Sequence, residues 1–281
     1  MNAQHISKQK VRRAFDRAAD GYDDAAVLQQ EVCRRLLQRL DYIRLSPEWI
    51  LDAGAGTGEA VKALMGKYRK AQLMVLDISE RMLAKSAAQG GLLRKPYPVC
   101  ADIEKLPLAD ACIDLVFSSL TLQWCNDLEA TFKGIRRIMK PGGLFMFASF
   151  GPDTLKELRE CWSRVDDAVH VNTFEDMHDV GDALLRTGFA DPVMESEIIT
   201  VNYNMVDKLM ADLRGIGANV TADGGRRGLT TKTMLAQLRD AYEMYRRDDV
   251  LPASYEIIYG HAWNVAADSA PQQSVNVDFL K

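Results

Sequence analysis

Nothing in this chain is long and apolar enough to cross a bilayer, since its strongest apolar run, Gly142 to Gly151, falls well short of the roughly 18 to 20 residues a span needs. Met1 to Val11 likewise lacks the apolar core of a secretion signal. Cysteines are few, five in number (Cys33, Cys100, Cys112, Cys125 and Cys161), and no two are spaced C-x-x-C. That excludes a disulfide framework and a ribbon-type metal site, and it points to reduced thiols in a cytoplasmic protein. Only four histidines occur, and the nearest pair, His170 and His178, lacks metal-ligand spacing despite Asp176 and Asp179 close by, so no metal is expected. Neither sign of charge dominates. Lys plus Arg number 35 against 39 Asp plus Glu, a net −4 that provides no global field to hold nucleic acid or an anionic membrane. What remains, 47% hydrophobic and 26% charged residues with no repeat or low-complexity tract, is the composition of a globular enzyme-sized chain.

From Trp49 to Phe150, short apolar runs alternate with helical patterns: WILDAG then AVKALM, QLMVLD then ERMLAKSA, YPVCAD then a loop, IDLVFSS then LEATFKGIRRIM, and finally GLFMFASF. Such alternation predicts an α/β fold, a parallel sheet covered by helices on both faces. Lys140-Pro141-Gly142-Gly143 is read as the stop between the fourth helix and a strand at Leu144 to Phe150. Helices are predicted from Pro152 to Val165, with Asp153 and Thr154 at the start, and from Phe174 to Gly188; strands are predicted from Val193 to Tyr203 and from Tyr255 to Trp263. A helical region from Lys8 to Leu40, broken near Gly21, precedes the alternation, and about fifty residues with helical patterns separate the two late strands. An insertion of that length is more often functional than connective. The expected division is an N-terminal helical cap segment at 1–45, a core at 46–203, a helical cap insertion at 204–253, and the last core strand with its tail at 254–281.

The sharpest motif is Leu51-Asp52-Ala53-Gly54-Ala55-Gly56-Thr57-Gly58, placed where a strand turns into a helix. A dinucleotide fingerprint would need its third glycine where Glu59 stands, and a carboxylate there opposes a pyrophosphate at a helix N-terminus. The spacing instead suits a ligand with an amino-acid tail and no phosphate. Asp77 ends the second strand, where a carboxylate can accept both ribose hydroxyls, and Asp102 ends the third, where it can accept from an adenine amino group beside the N–H of Ile103. Acids at three successive strand ends converge on the edge at which open α/β sheets bind ligands.

These residues resemble the class I S-adenosylmethionine-dependent methyltransferases. The resemblance implies a Rossmann-like, seven-stranded mixed sheet with an antiparallel last hairpin, S-adenosyl-L-methionine as cofactor, and cofactor contacts from Asp52, Gly54, Gly56, Gly58, Asp77, Ile78, Asp102 and Ile103. The run Ser118-Ser119-Leu120-Thr121-Leu122-Gln123-Trp124-Cys125 is similar to the family's segment beside the transferred methyl, which adds Ser118 and Leu120.

Outside the core, Phe15 to Asp23, Gln123-Trp124-Cys125, Phe150 to Leu155, His170-Val171-Asn172 and Leu213 to Gly217 resemble the malonyl-[acyl-carrier protein] O-methyltransferases of biotin synthesis. That resemblance implies methylation of the free carboxylate of a malonyl thioester, with Tyr22 over the cofactor. A carboxylate with a pKa near ~4 is already ionised at neutral pH, so such an acceptor needs alignment and dryness rather than a general base. It also needs a cation or donors to hold it, and Arg214 in the late insertion is the first candidate. An acyl carrier protein is acidic. The stretch from Arg214 to Arg239 carries five basic residues against Asp223 alone, a local +4, and Arg226, Arg227 and Lys232 are the expected docking residues. Two other readings stay open: a methyltransferase of quinone or small-acid acceptors, and a protein-modifying assembly factor of the respiratory complex I type, which Asn202 to Trp263 also resembles.

Overall fold

The computed structural model describes residues 5–91, 94–218 and 230–265. Seven strands, β1 (Trp49–Ala53), β2 (Gln72–Asp77), β3 (Tyr97–Cys100), β4 (Ile113–Ser119), β5 (Met139–Phe150), β6 (Ala190–Tyr203) and β7 (Leu251–Asn264), form one sheet in the order β3-β2-β1-β4-β5-β7-β6. Strands β1 to β5 run parallel, and β7 is antiparallel to both β5 and β6. This is the seven-stranded mixed sheet that the strand count and the family resemblance implied.

Side chains alternating along the middle strands feed two cores. On β5, Leu144, Met146 and Ala148 join one cluster with Leu36, Leu64 and Phe117, while Phe145 and Phe147 join the other with Phe132, Ile135 and Leu184. The period of two divides each strand between the faces, and helices bury both. The ten helices among the described residues are α1 (Lys8–Ala18), α2 (Tyr22–Ala25), α3 (Val27–Arg39), α4 (Val61–Lys67), α5 (Glu80–Ala88), α6 (Leu128–Ile138), α7 (Lys156–Ser163), α8 (Met177–Arg186), α9 (Val206–Gly215) and α10 (Lys232–Tyr242). Several begin on side-chain caps that satisfy otherwise orphaned N–H groups: Ser79 accepts from Met82, Asp127 from Ala130, Asp176 from His178 and Thr231 from Met234.

Several boundaries differ from expectation, among them β6 and β7, which begin earlier at Ala190 and Leu251, and α8, which is shorter; two others differ for a clear tertiary reason. β5 begins at Met139 because Met139 pairs with Ile113 and Gly143 with Asn264, so Lys140 to Gly143 is absorbed as an irregular strand start beside a register shift. α7 begins only at Lys156. The Leu155 N–H is given to the Ser254 carbonyl and Thr154 Oγ1 donates to the Glu256 carbonyl, so this segment clips onto β7 before it can coil.

Candidate active site

The first, second and third strands end side by side, and the loops beyond them form a cleft of about 630 Å³, mouth included, lined by Gly54, Gly56, Asp77, Ile78, Asp102, Ile103, Ser119, Leu120, Thr121 and Trp124 and closed by Lys8, Val11, Phe15 and Tyr22 from the N-terminal helices. A second chamber continues past Tyr22, Gly54 and Gly56 toward Asp52, Glu59, Cys33 and Gln29. The glycine loop is tied down by Gly54 and Ala55 N–H groups that both donate to the Leu76 carbonyl.

Asp77 organises the cleft. Its two carboxylate oxygens accept from the Gly56 N–H at 2.9 Å and the Ser79 N–H at 2.8 Å, leaving further lone pairs for a ligand in the cleft. Burial pushes its carboxyl up to about 6 despite these bonds. Asp52 lies deeper; burial and the neighbouring Asp77 charge push it up to about 7. Its Oδ2 is buried with no hydrogen-bond partner. An orphaned carboxylate oxygen in the chamber beyond the glycine turn is an acceptor open to a donor such as an ammonium group. At the other end Asp102 Oδ1 accepts from the Glu104 N–H at 3.1 Å and from Lys8 Nζ at 3.3 Å. The residues present therefore fit S-adenosyl-L-methionine at both ends, with Asp52 for the α-ammonium, Asp77 for the ribose and Asp102 for the adenine.

The lid over the cleft is latched by polar contacts from distant sequence. Lys8 Nζ also donates to the Trp124 carbonyl at 2.9 Å and pairs with Glu104. The Ile6 backbone and the Asn126 side chain exchange two hydrogen bonds, Ser79 Oγ donates to Asp16 at 2.6 Å, and Thr57 Oγ1 donates to Asp23 at 2.6 Å. Phe15 meets Trp124 edge to face at 5.4 Å. These bonds place Tyr22, whose phenol is raised by burial and by the charges of Asp77 and Asp23 and so stays protonated, against the cleft wall.

Beyond Trp124 and Gln29 opens a third cavity of about 620 Å³, mostly apolar, walled by Phe150, Leu155, Leu158, Phe174, Leu213 and Tyr255. Leu120 and Leu155, one lining the cleft and one this cavity, are held at φ 52° and 55°, in the left-handed region that favours glycine. Strain of this kind persists where surrounding bonds fix the backbone, here the Leu120 and Leu155 N–H groups on the Ala148 and Ser254 carbonyls.

Three expected site residues lie elsewhere. Ser118 is fully buried behind the cleft, its hydroxyl donating to the Ala53 carbonyl at 2.8 Å, and Ser119 lines the cleft instead. One residue of strand register separates the two, which is enough to reverse the face. Gly58 does not line the cleft; its positive φ lets it approach α5. Arg214 is exposed and borders none of the three cavities. Helix α9 turns Val206 and Leu209 into the core and Leu213 toward the third cavity, which leaves Arg214 rotated about 100° away, on an exposed flank. Of the expected docking residues, Lys232 is exposed at the start of α10, while Arg226 and Arg227 lie outside the described residues. Lys8, Thr121, Gln29 and His170 line the cavities without being named for the site; the resemblance of the Ser118 to Cys125 run carried a signal for Thr121 and that of His170-Val171-Asn172 for His170, while Lys8 and Gln29 had none. Among the described residues no three His, Cys, Asp or Glu side chains are grouped to hold a metal, and no helix is long and apolar enough to cross a membrane.

The methyltransferase-domain family matches residues 51–147. Over 272 residues the chain is 50% identical to the malonyl-[acyl-carrier protein] O-methyltransferase of Gallionella capsiferriformans, covering 95% of this chain and 94% of the relative. It is also 50% identical over 268 residues to the protein of that name from Methylovorus sp., covering 93% and 90%. Among solved structures, the phosphoethanolamine N-methyltransferase 2 of Haemonchus contortus, in complex with S-adenosyl-L-methionine, superposes with a TM-score of 0.57 at 17% identity, over 89% of this chain and 57% of that one, a likeness of fold.

Proposed function

The chain belongs to the malonyl-[acyl-carrier protein] O-methyltransferase family, and on that premise we propose that its cleft and third cavity together transfer a methyl group from S-adenosyl-L-methionine to the free carboxylate of malonyl-acyl carrier protein, an early step of biotin synthesis. The observation that carries the reading is the extent of the match. It includes both helical cap segments, which wall the acceptor side, as well as the cofactor core.

The cofactor, when bound, supplies a methyl group made electrophilic by a positively charged sulfur. The chain's own work is to bind, align and dry. Asp52, Asp77 and Asp102 hold the two ends of the cofactor. The acceptor carboxylate is already anionic, so no side chain has to remove a proton. Tyr22, Leu120 and Trp124 border the reacting region, and the latched N-terminal helices exclude water that would solvate the carboxylate and blunt it as a nucleophile. The third cavity, mostly apolar, shares Trp124 with the cleft and Gln29 with the second chamber, and is suited to the malonyl group and the start of the carrier arm.

We place the enzyme in the cytoplasm, with its five cysteines as free thiols. The carrier protein would dock on the basic insertion, through Arg226, Arg227 and Lys232. Arg239 is less available, since its guanidinium is already engaged with both oxygens of Asp207, at 2.8 and 2.6 Å. Incubation with S-adenosyl-L-methionine and malonyl-acyl carrier protein, followed by intact mass measurement, should show a gain of one methyl; no gain overturns the reading. Reversing the three docking charges should raise KM for malonyl-acyl carrier protein far more than for malonyl-coenzyme A, and an equal rise for both would remove the docking assignment.

A further inference from the structure

A site for an acceptor carboxylate needs a positive partner, and the exposed Arg214 does not reach the cavity. Among the described residues that wall the third cavity, one can carry positive charge: His170. Its ring is fixed on two sides. It stacks face to face on the Trp162 indole at 3.7 Å with 6° between the planes, and its Nε2 sits 2.8 Å from Asp166 Oδ1. The other nitrogen, Nδ1, has no hydrogen-bond partner among the described residues, and the side chain is only 12% exposed. A histidine clamped at one nitrogen by a carboxylate, flat against an aromatic ring and lining an apolar cavity, is arranged to receive a second carboxylate.

We propose that His170 is the positioning residue for the free carboxylate of the acceptor, with Asp166 and Trp162 fixing its ring. This rests on the malonyl-thioester reading and supplies what that reading lacks, the group that selects a charged acyl end over a neutral one. The Gln29 and Gln123 amides border the same cavity and Gln123 Nε2 is already committed to the Leu120 carbonyl at 2.7 Å, so they provide polarity without charge. One consequence concerns turnover. Methylation converts the carboxylate to an ester, the ion pair with His170 disappears, and the product is released from a site that held the substrate.

The test compares binding of malonyl-pantetheine with binding of its methyl ester, each by calorimetry in the presence of S-adenosylhomocysteine, for wild type, His170→Gln and His170→Lys. Wild type should prefer the carboxylate by about 10- to 100-fold, the range of a charge-assisted hydrogen bond in a partly buried site. His170→Gln should bring the two affinities together, His170→Lys should restore part of the preference, and S-adenosylhomocysteine affinity should change in neither variant. A merely structural role predicts that His170→Gln weakens both ligands in parallel, and that result, or a wild type with no preference, overturns the assignment. Turnover of malonyl-acyl carrier protein by the wild type separates the two levels. Turnover with a parallel loss sinks the His170 proposal alone, whereas absence of turnover sinks the substrate reading.

Discussion

Replacing Gly56 by alanine should separate cofactor binding from folding. Gly56 has φ 53°, and a Cβ built there meets no atom within 4 Å, because the residue faces both chambers of the cofactor cleft. The protein therefore loses only the intrinsic cost of a side chain at positive φ, about 1–2 kcal/mol. At 281 residues that amounts to a fall in Tm of a few degrees, at about 2–4 °C per kcal/mol. The N–H donated to Asp77 survives the change. The new methyl, however, fills space the cofactor must occupy, so affinity for S-adenosyl-L-methionine should fall about 5- to 150-fold, as overpacking a close approach costs about 1–3 kcal/mol. Gly58→Ala should do the reverse. There a Cβ would lie 2.8 Å from the Ser86 Cα of α5 at φ 93°, so strand-to-helix packing breaks and Tm falls by about twice as much, while no atom enters the cleft. Thermal denaturation without ligand and calorimetric titration with S-adenosyl-L-methionine measure the two effects. Undiminished affinity in Gly56→Ala, or an unchanged Tm in Gly58→Ala, would refute the assignment of one glycine to the ligand and the other to the helix.

Further outcomes follow from the same geometry. Asp77 and Asp52 ionise near about 6 and about 7 rather than in the ordinary range, so the folded protein without ligand retains protons that the unfolded chain releases near ~4. Its stability should consequently decline as pH rises from about 4 through about 7. Cofactor affinity, which needs both acids ionised, should increase between pH 5 and 8 and then level, and Asp52→Asn should remove the upper part of that rise while stabilising the ligand-free protein at pH 8; a flat affinity profile in wild type would contradict this. Lys8→Met cuts the link between α1, Asp102 and the Trp124 carbonyl, and should weaken cofactor binding about tenfold, an effect of the size of one charged hydrogen bond. Arg214→Ala should leave kcat/KM for malonyl-coenzyme A within about twofold of wild type, the margin for an exposed side chain, and a larger loss would return Arg214 to the acceptor site.

The strand-end cleft proposed for the cofactor was legible because its parts are local. Asp52, Gly54 and Gly56 lie within five consecutive residues, and Asp77 and Asp102 each end a strand whose apolar run announces it. Once the strands are parallel and adjacent, geometry brings the three acids together without further information. The misreading of Ser118 shows the limit even here, because the pattern IDLVFSS gives the strand but not which of its two last serines turns inward; that is decided by the bond from Ser118 to Ala53 on the neighbouring strand. The helix expected from Pro152 starts only at Lys156 for a similar reason. Asp153 and Thr154 are good caps in isolation, but Glu256 of β7 takes the Asp153 N–H on its carboxylate and the Thr154 hydroxyl on its carbonyl.

The third cavity, proposed for the acceptor, is written differently. Its wall draws on α3 through Gln29, the β4 exit through Trp124, the loop after α7 through His170, α9 through Leu213 and β7 through Tyr255, five segments spread across more than two hundred residues. No spacing rule connects them, since each contributes one or two side chains and its local pattern is that of ordinary core packing. The choice of Arg214 as the carboxylate partner followed charge alone, and charge along a helix does not say which face it occupies: Leu213 and Arg214 are neighbours in sequence and about 100° apart around the axis. A histidine beside a tryptophan and an aspartate, by contrast, has no charge pattern to notice until the loop folds Asp166 and Trp162 against it. On the His170 proposal, specificity for a free carboxylate is carried by tertiary structure, and it should respond to Asp166→Asn, which leaves every residue of the cavity wall in place. That variant removes the charge beside the ring while an amide oxygen can still accept from the Ala168 N–H, so it should lower the preference for malonyl-pantetheine over its ester by about 3- to 10-fold, less than His170→Gln does. An equal or larger effect than His170→Gln would mean that Asp166, and not the imidazole, organises the site.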